Sequence, residues 1–78
     1  MSIEIIFGQQ LRKIREENKL SQEELAFRAK LDRTYISLLE RGKRRPTLNT
    51  IFALTQQLNI SAAEMVRLVE EQVLNFHH

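Results

Sequence analysis

The sequence predicts an all-α fold, a compact bundle of five short helices, and three observations lead there. No window alternates apolar and polar residues with period two for long enough to make a strand, whereas apolar residues recur at helical spacing along the whole chain. There are only two glycines and one proline, so breaks are few and fall at defined places. Ser21 with Glu24, and Ser61 with Glu64, have the spacing of a capping box, in which a serine hydroxyl accepts from an amide of the first helical turn. At 78 residues the chain forms one domain, residues 1–78, and its 42% hydrophobic and 28% charged content is ordinary for a folded protein. A chain this short buries only about 60% of the surface its unfolded form exposes, so a second subunit would add stability.

Each element follows from its own signals. The first helix is expected from about Glu4 to Asn18, with Ile6, Phe7, Leu11 and Ile14 inward and Arg12, Lys13, Glu16 and Glu17 outside. Gly8 weakens it by about 1 kcal/mol relative to alanine and marks either a close helix crossing or a frayed start. Ser21 opens a second helix at Gln22, which carries Leu25, Ala26 and Ala29 inward. Asp32 caps a third helix, with Ile36 and Leu39 on its core side, that stops at Gly42. Pro46 blocks continuation, and Thr47 caps a fourth helix whose apolar set is Leu48, Ile51, Phe52, Ala53, Leu54 and Leu58 and which Asn59 closes. Ser61 opens the fifth, about residues 61–76, where Met65, Leu68, Val69, Val73 and Phe76 form a stripe.

Composition narrows the function classes. With no cysteine there is no disulfide and no thiolate metal site, and a reducing cytoplasm is the expected location. The N-terminal MSIEIIF carries an acid where a signal peptide needs bases, and no stretch approaches the roughly 20 apolar residues that span a bilayer, so no membrane is expected. The only histidines are His77 and His78, adjacent at the end, and no paired carboxylates are placed for acid–base work; no enzyme, metal or cofactor is expected. The net charge of +2 hides an asymmetry: residues 1–27 carry −1, residues 28–45 carry +5 and residues 46–78 carry −2. Positive charge packed into under a quarter of the chain is the footprint of a surface that meets phosphates.

The second and third helices are separated only by Lys30, Leu31 and the cap at Asp32. That is the tight turn of a helix-turn-helix, about residues 21–42, whose second helix enters the DNA major groove. Arg33, at the start of that helix, can pair with guanine O6 and N7, and Thr34 and Ser37 can reach a base edge or a phosphate. Leu38 can meet a thymine methyl or pack against Tyr35 and the neighbouring turn. Tyr35 can bond a phosphate through its hydroxyl, and Lys43, Arg44 and Arg45 can grip the backbone without reading sequence. Glu40 is expected to be structural, bonding Arg12 or Arg15 across the bundle.

The stretch LSQEELAFRAKLDRTYISLLERGKRRPTL resembles the helix-turn-helix module of phage repressor and Cro type regulators, the XRE family, over about Phe7 to Leu58. Within it, LDRTYIS followed by ERG is especially similar to the controller proteins of restriction-modification systems. The resemblance implies a lambda-repressor-like domain that regulates transcription on double-stranded DNA, with Gln22 on the DNA backbone and RNA polymerase as a candidate further partner. Lys30 departs from the pattern, which has glycine there for a positive φ, and a lysine in that conformation is strained by about 1 kcal/mol. The stripe of Met65, Leu68, Val69, Val73 and Phe76 is read as a homodimer contact, which would set two recognition helices about 34 Å apart on a palindromic operator. The same fold can instead serve as an antitoxin or another protein-interaction module, but such a module has no need of +5 between Arg28 and Arg45.

Overall fold

Four side-chain hydroxyls decide where four of the helices begin. Ser2, Ser21, Thr47 and Ser61 each accept from the amide three residues on, at 3.2, 3.0, 3.1 and 3.0 Å, satisfying a donor that the first turn leaves free. The computed structural model describes residues 1–76, and His77, His78 and the side chain of Phe76 lie outside the described residues. Its helices are α1 (Ile3–Glu17), α2 (Gln22–Ala29), α3 (Arg33–Glu40), α4 (Leu48–Thr55) and α5 (Ala62–Phe76). Among the described residues there is no strand, and no helix is long and apolar enough to cross a membrane.

The start of α3 differs from expectation. Asp32 occupies the capping position with extended backbone, but its side chain makes no capping hydrogen bond. Its contribution is charge at the positive end of the helix dipole, not a bonded cap.

Three helix ends share one device. Lys19, Lys30 and Gly42 adopt the left-handed conformation, with φ of 58°, 60° and 72°. In each case the next amide reaches back to the carbonyl five residues earlier: Leu20 to Arg15 at 3.2 Å, Leu31 to Ala26 at 2.8 Å and Lys43 to Leu38 at 2.9 Å. This is the Schellman pattern, and the apolar residue that follows the left-handed one folds back on the core at Leu20 and Leu31. Lys30 thus has the positive φ that its position in the turn demands.

Helix α4 ends at Thr55, short of Asn59. The Thr55 hydroxyl donates to the Ile51 carbonyl at 2.9 Å, and the amides of Gln57 and Leu58 turn to carbonyls three residues back, tightening the chain before Asn59 reverses it at φ 56°. Ile51, Leu54 and Leu58 are buried as expected, but Leu48 and Phe52 are 72% and 55% exposed. They are one turn apart on a stripe beside the inward one, so the single chain gives them nothing to pack against.

The core runs between α1, α3 and α5, with α2 laid on α3, and its fully buried members include Ile6, Leu11, Leu25, Ile36, Leu39, Leu54 and Met65. Gly8 marks a close crossing: a Cβ there would stand 2.5 Å from the Glu40 carbonyl oxygen and closer still to that of Leu39. Two turns further along the same face of α1, the Arg15 guanidinium meets the Glu40 carboxylate, Nε to Oε2 at 2.6 Å and Nη2 to Oε1 at 3.0 Å. The third Arg15 nitrogen, Nη1, donates to the Leu20 carbonyl at 2.8 Å. The hydrogen bond to Glu40 raises the Arg15 pKa above its ordinary value, so the guanidinium stays charged.

A Gly8→Ala substitution separates the two opposing effects at the crossing. Alanine gains about 1 kcal/mol of helix propensity, while pressing a methyl group onto two backbone carbonyls costs about 1–3 kcal/mol or more. The expected net result is a lower urea midpoint with an unchanged slope; a raised midpoint would show that α1 and α3 are free to move apart.

Candidate nucleic-acid interface

Helix α3 is amphipathic over its eight residues, and the division of its faces settles which side chains reach outward. Ile36, Leu39 and Glu40 are buried. Arg33 and Thr34 are exposed at the N-terminal end, while Tyr35, Ser37 and Leu38 are half-buried on the flanks. The outward edge is therefore Arg33, Thr34 and Ser37, ending at Arg41, whose Nε donates to the Ser37 carbonyl at 3.4 Å. A short helix with an arginine leading and small hydroxyl residues behind it can enter a groove deeply and still present donors.

The bases around this edge are deployed differently from one another. Among the described residues no ion pair involves Lys30, Arg33 or Lys43. Arg28 pairs with Glu24 at 3.5 Å, and Arg45 pairs with Glu4 at 2.9 Å while remaining 88% exposed. Exposed pairs of this kind contribute at most about 1 kcal/mol, so a phosphate can displace the acid. The Arg44 guanidinium lies 5.7 Å from the centre of the Tyr35 ring, a cation–π distance. Glu40 contributes no negative field to the face, because Arg15 neutralises it beneath the surface.

Tyr35 is placed more tightly than its sequence indicated. Its hydroxyl lies 3.3 Å from Thr50 Oγ1, which also accepts from Thr47 Oγ1 at 3.0 Å. The ring thus ties α3 to the start of α4 and serves as a platform for Arg44. Gln22, the first residue of α2, is half-buried, and its Nε2 donates to Glu40 Oε1 at 3.0 Å. The structure thus gathers Gln22, Arg33, Thr34, Ser37 and the loop bases onto the helix pair and its exit loop.

The C-terminal stripe requires correction. Met65 is fully buried and Val69 is 8% exposed, both inside the core of the single chain, so neither has surface to offer a second copy. Leu68 and Val73 are half-buried against the same core, and the Phe76 side chain lies outside the described residues. One exposed apolar surface lies on the next face round, where Val66 of α5, 49% exposed, joins Leu48 and Phe52 of α4 across a groove lined by Ile51, Ala62 and Ala63 and edged by Arg67 and Glu70, while Phe27 of α2 and Leu74 of α5 are exposed elsewhere. The signal for it in the sequence is the pair Leu48 and Phe52, one turn apart and rotated round the helix from the stripe of Ile51, Leu54 and Leu58.

Comparison with known proteins places this geometry. A family model described as helix-turn-helix matches residues 11–65. The control protein C.SmaI of Serratia marcescens is 41% identical over 66 residues, covering 85% of this chain and 79% of that protein. The crystal structure of the restriction-modification controller protein C.AhdI from Aeromonas hydrophila superposes with a TM-score of 0.76 at 44% identity, over 78% of this chain and 92% of that one. C.Esp1396I bound to a 25-base-pair operator site superposes with a TM-score of 0.83 at 30% identity, over 95% of this chain and 97% of that one. With its turn, recognition helix and exit loop in the same order, the chain belongs to the XRE-type helix-turn-helix family of DNA-binding transcriptional regulators and is similar to the restriction-modification controller proteins.

Proposed function

We propose that the chain acts as a homodimer on a palindromic operator, as the controller of a restriction-modification system, with Arg33, Thr34 and Ser37 reading bases and Gln22, Lys43, Arg44 and Arg45 holding the backbone. The observation that carries the dimer is the exposed apolar face of Leu48, Phe52 and Val66. Apolar surface rimmed by charge, here Arg67 and Glu70, is a mark of a protein contact, and a two-fold axis lets one patch bury itself against its own copy. Size supports the same reading. The longest extent of this chain is 38 Å, whereas a duplex of 25 base pairs, the length of the relative's operator, runs to about 85 Å at 3.4 Å per pair.

Two kinds of substitution test the assignment. Arg33→Ala should relax preference at one base pair of each half-site and cost about 1–3 kcal/mol there, whereas Lys43→Ala should weaken all duplexes alike and lower the salt slope by about one. Equal half-site preferences in Arg33→Ala and wild type would remove Arg33 from base readout. Phe52→Glu should leave the fold intact, make the protein monomeric by sedimentation and weaken binding to a palindrome about 100-fold or more, because the second half-site is no longer tethered to the first. A dimer that survives Phe52→Glu would show that the α4–α5 face is not the contact.

A further inference from the structure

We propose that Glu40 is a positioning residue for DNA binding: its buried carboxylate, fixed by Arg15, holds the Gln22 side-chain amide so that one N–H is spent inside the protein and the other faces the DNA backbone. The inference rests on the reading of Gln22 as a backbone contact and adds how that contact is prepared.

The geometry begins with the carboxylate. The Glu40 side chain is 3% exposed, and both of its oxygens are taken by the Arg15 fork. Its backbone is fixed as well, because the Glu40 carbonyl lies against Gly8. A group pinned at both ends is a rigid acceptor, and Oε1 uses its remaining capacity for Gln22 Nε2 at 3.0 Å. A carboxylate only accepts, so the end of Gln22 that faces it must be the nitrogen, and the amide cannot be flipped.

A primary amide has two N–H bonds fanned apart in one plane. With one held by Glu40, the other has no partner among the described residues, on a half-buried side chain at the point where α2 begins. The neighbouring main-chain donors belong to the same place: Ser21 Oγ takes the Glu24 amide, leaving those of Gln22 and Glu23 at the helix end for an anion. Arg15 has a second duty in this arrangement, since an unpaired carboxylate one hydrogen-bonded side chain beneath a phosphate contact would repel the DNA, and the ion pair offsets that charge.

Pre-ordering one flexible side chain is worth about 3- to 10-fold in affinity, the ordering cost that the free protein has already met. The test is a double-mutant cycle on the full chain, using the duplex it enriches from a random pool, with unfolding followed in parallel. Gln22→Ala and Glu40→Gln should each weaken binding about 3- to 10-fold. In the combined variant the Glu40→Gln penalty on binding should shrink by about 3- to 10-fold, the part carried through Gln22, while its penalty on stability stays. A Glu40→Gln penalty on binding that is the same with and without Gln22→Ala would overturn the positioning role and leave the Gln22 contact standing. Wild-type binding by Gln22→Ala would overturn both. Should Glu40→Gln fail to fold, the wild-type chain still decides the matter: the Gln22 side-chain amide should be as ordered as rigid backbone, with an NMR order parameter of about 0.85, and a value under about 0.6 would sink the proposal.

Discussion

One buried ion pair ties the parts of this small molecule together. Among the described residues Arg15 on α1 and Glu40 at the end of α3 are the only buried charged side chains, and each of the three guanidinium nitrogens donates a hydrogen bond, to Glu40 or to the Leu20 carbonyl of the link into α2. Removing one partner of such a pair leaves an uncompensated buried charge and costs about 3–5 kcal/mol, a large share of what a domain this size has. The pair therefore does more than add stability. Together with the crossing at Gly8 it fixes where α3 ends relative to α1 and where α2 begins, which is the geometry that a helix-turn-helix presents to DNA.

Around that anchor the outward chemistry divides by how firmly each side chain is held. Arg33 and Lys43 extend into solvent, Arg45 has an acid that a phosphate can replace, and Arg44 rests on a Tyr35 ring tied to Thr50. In the proposed roles, base readout would fall on the end of a helix locked by Ile36 and Leu39, and backbone contact on the exit loop and on Gln22 at the start of α2. Such a face would set register through its backbone contacts and read sequence from the helix end. The α4–α5 surface lies outside this division, and a second copy seated there would join two such faces without disturbing either.

Much of this was legible in the residues because local chemistry and tertiary demand agree. The capping hydroxyls at Ser21, Thr47 and Ser61 start helices where they were expected, and the apolar spacing of Ile6, Leu11, Leu25, Ile36 and Leu39 maps directly onto the core. Glu40 was expected to bond Arg12 or Arg15; the structure selects Arg15, with Arg12 paired to Glu16 on the surface. Other features depended on information that spacing does not hold. Asp32 has the right type and place for a cap but its carboxylate does not turn onto the helix. Met65 and Val69 lie on a stripe that was expected to be a homodimer contact, and the packing of α5 against α1 and α4 makes them core. The repeated Lys-Leu at the ends of α1 and α2 builds the same turn as Gly42-Lys43; the resemblance announced it at Lys30, but at Lys19 nothing in residue type does.

The most direct test is a selection from random-sequence duplex DNA, followed by titration of the enriched duplex against a scrambled one at two salt concentrations. The expected result is a palindromic winner that binds about 1,000-fold or more tightly than the scramble, with the preference retained as salt rises. Two duplexes that bind weakly and lose affinity in step would mean that the basic face is an electrostatic surface without sequence readout, and the α3 assignment would fall.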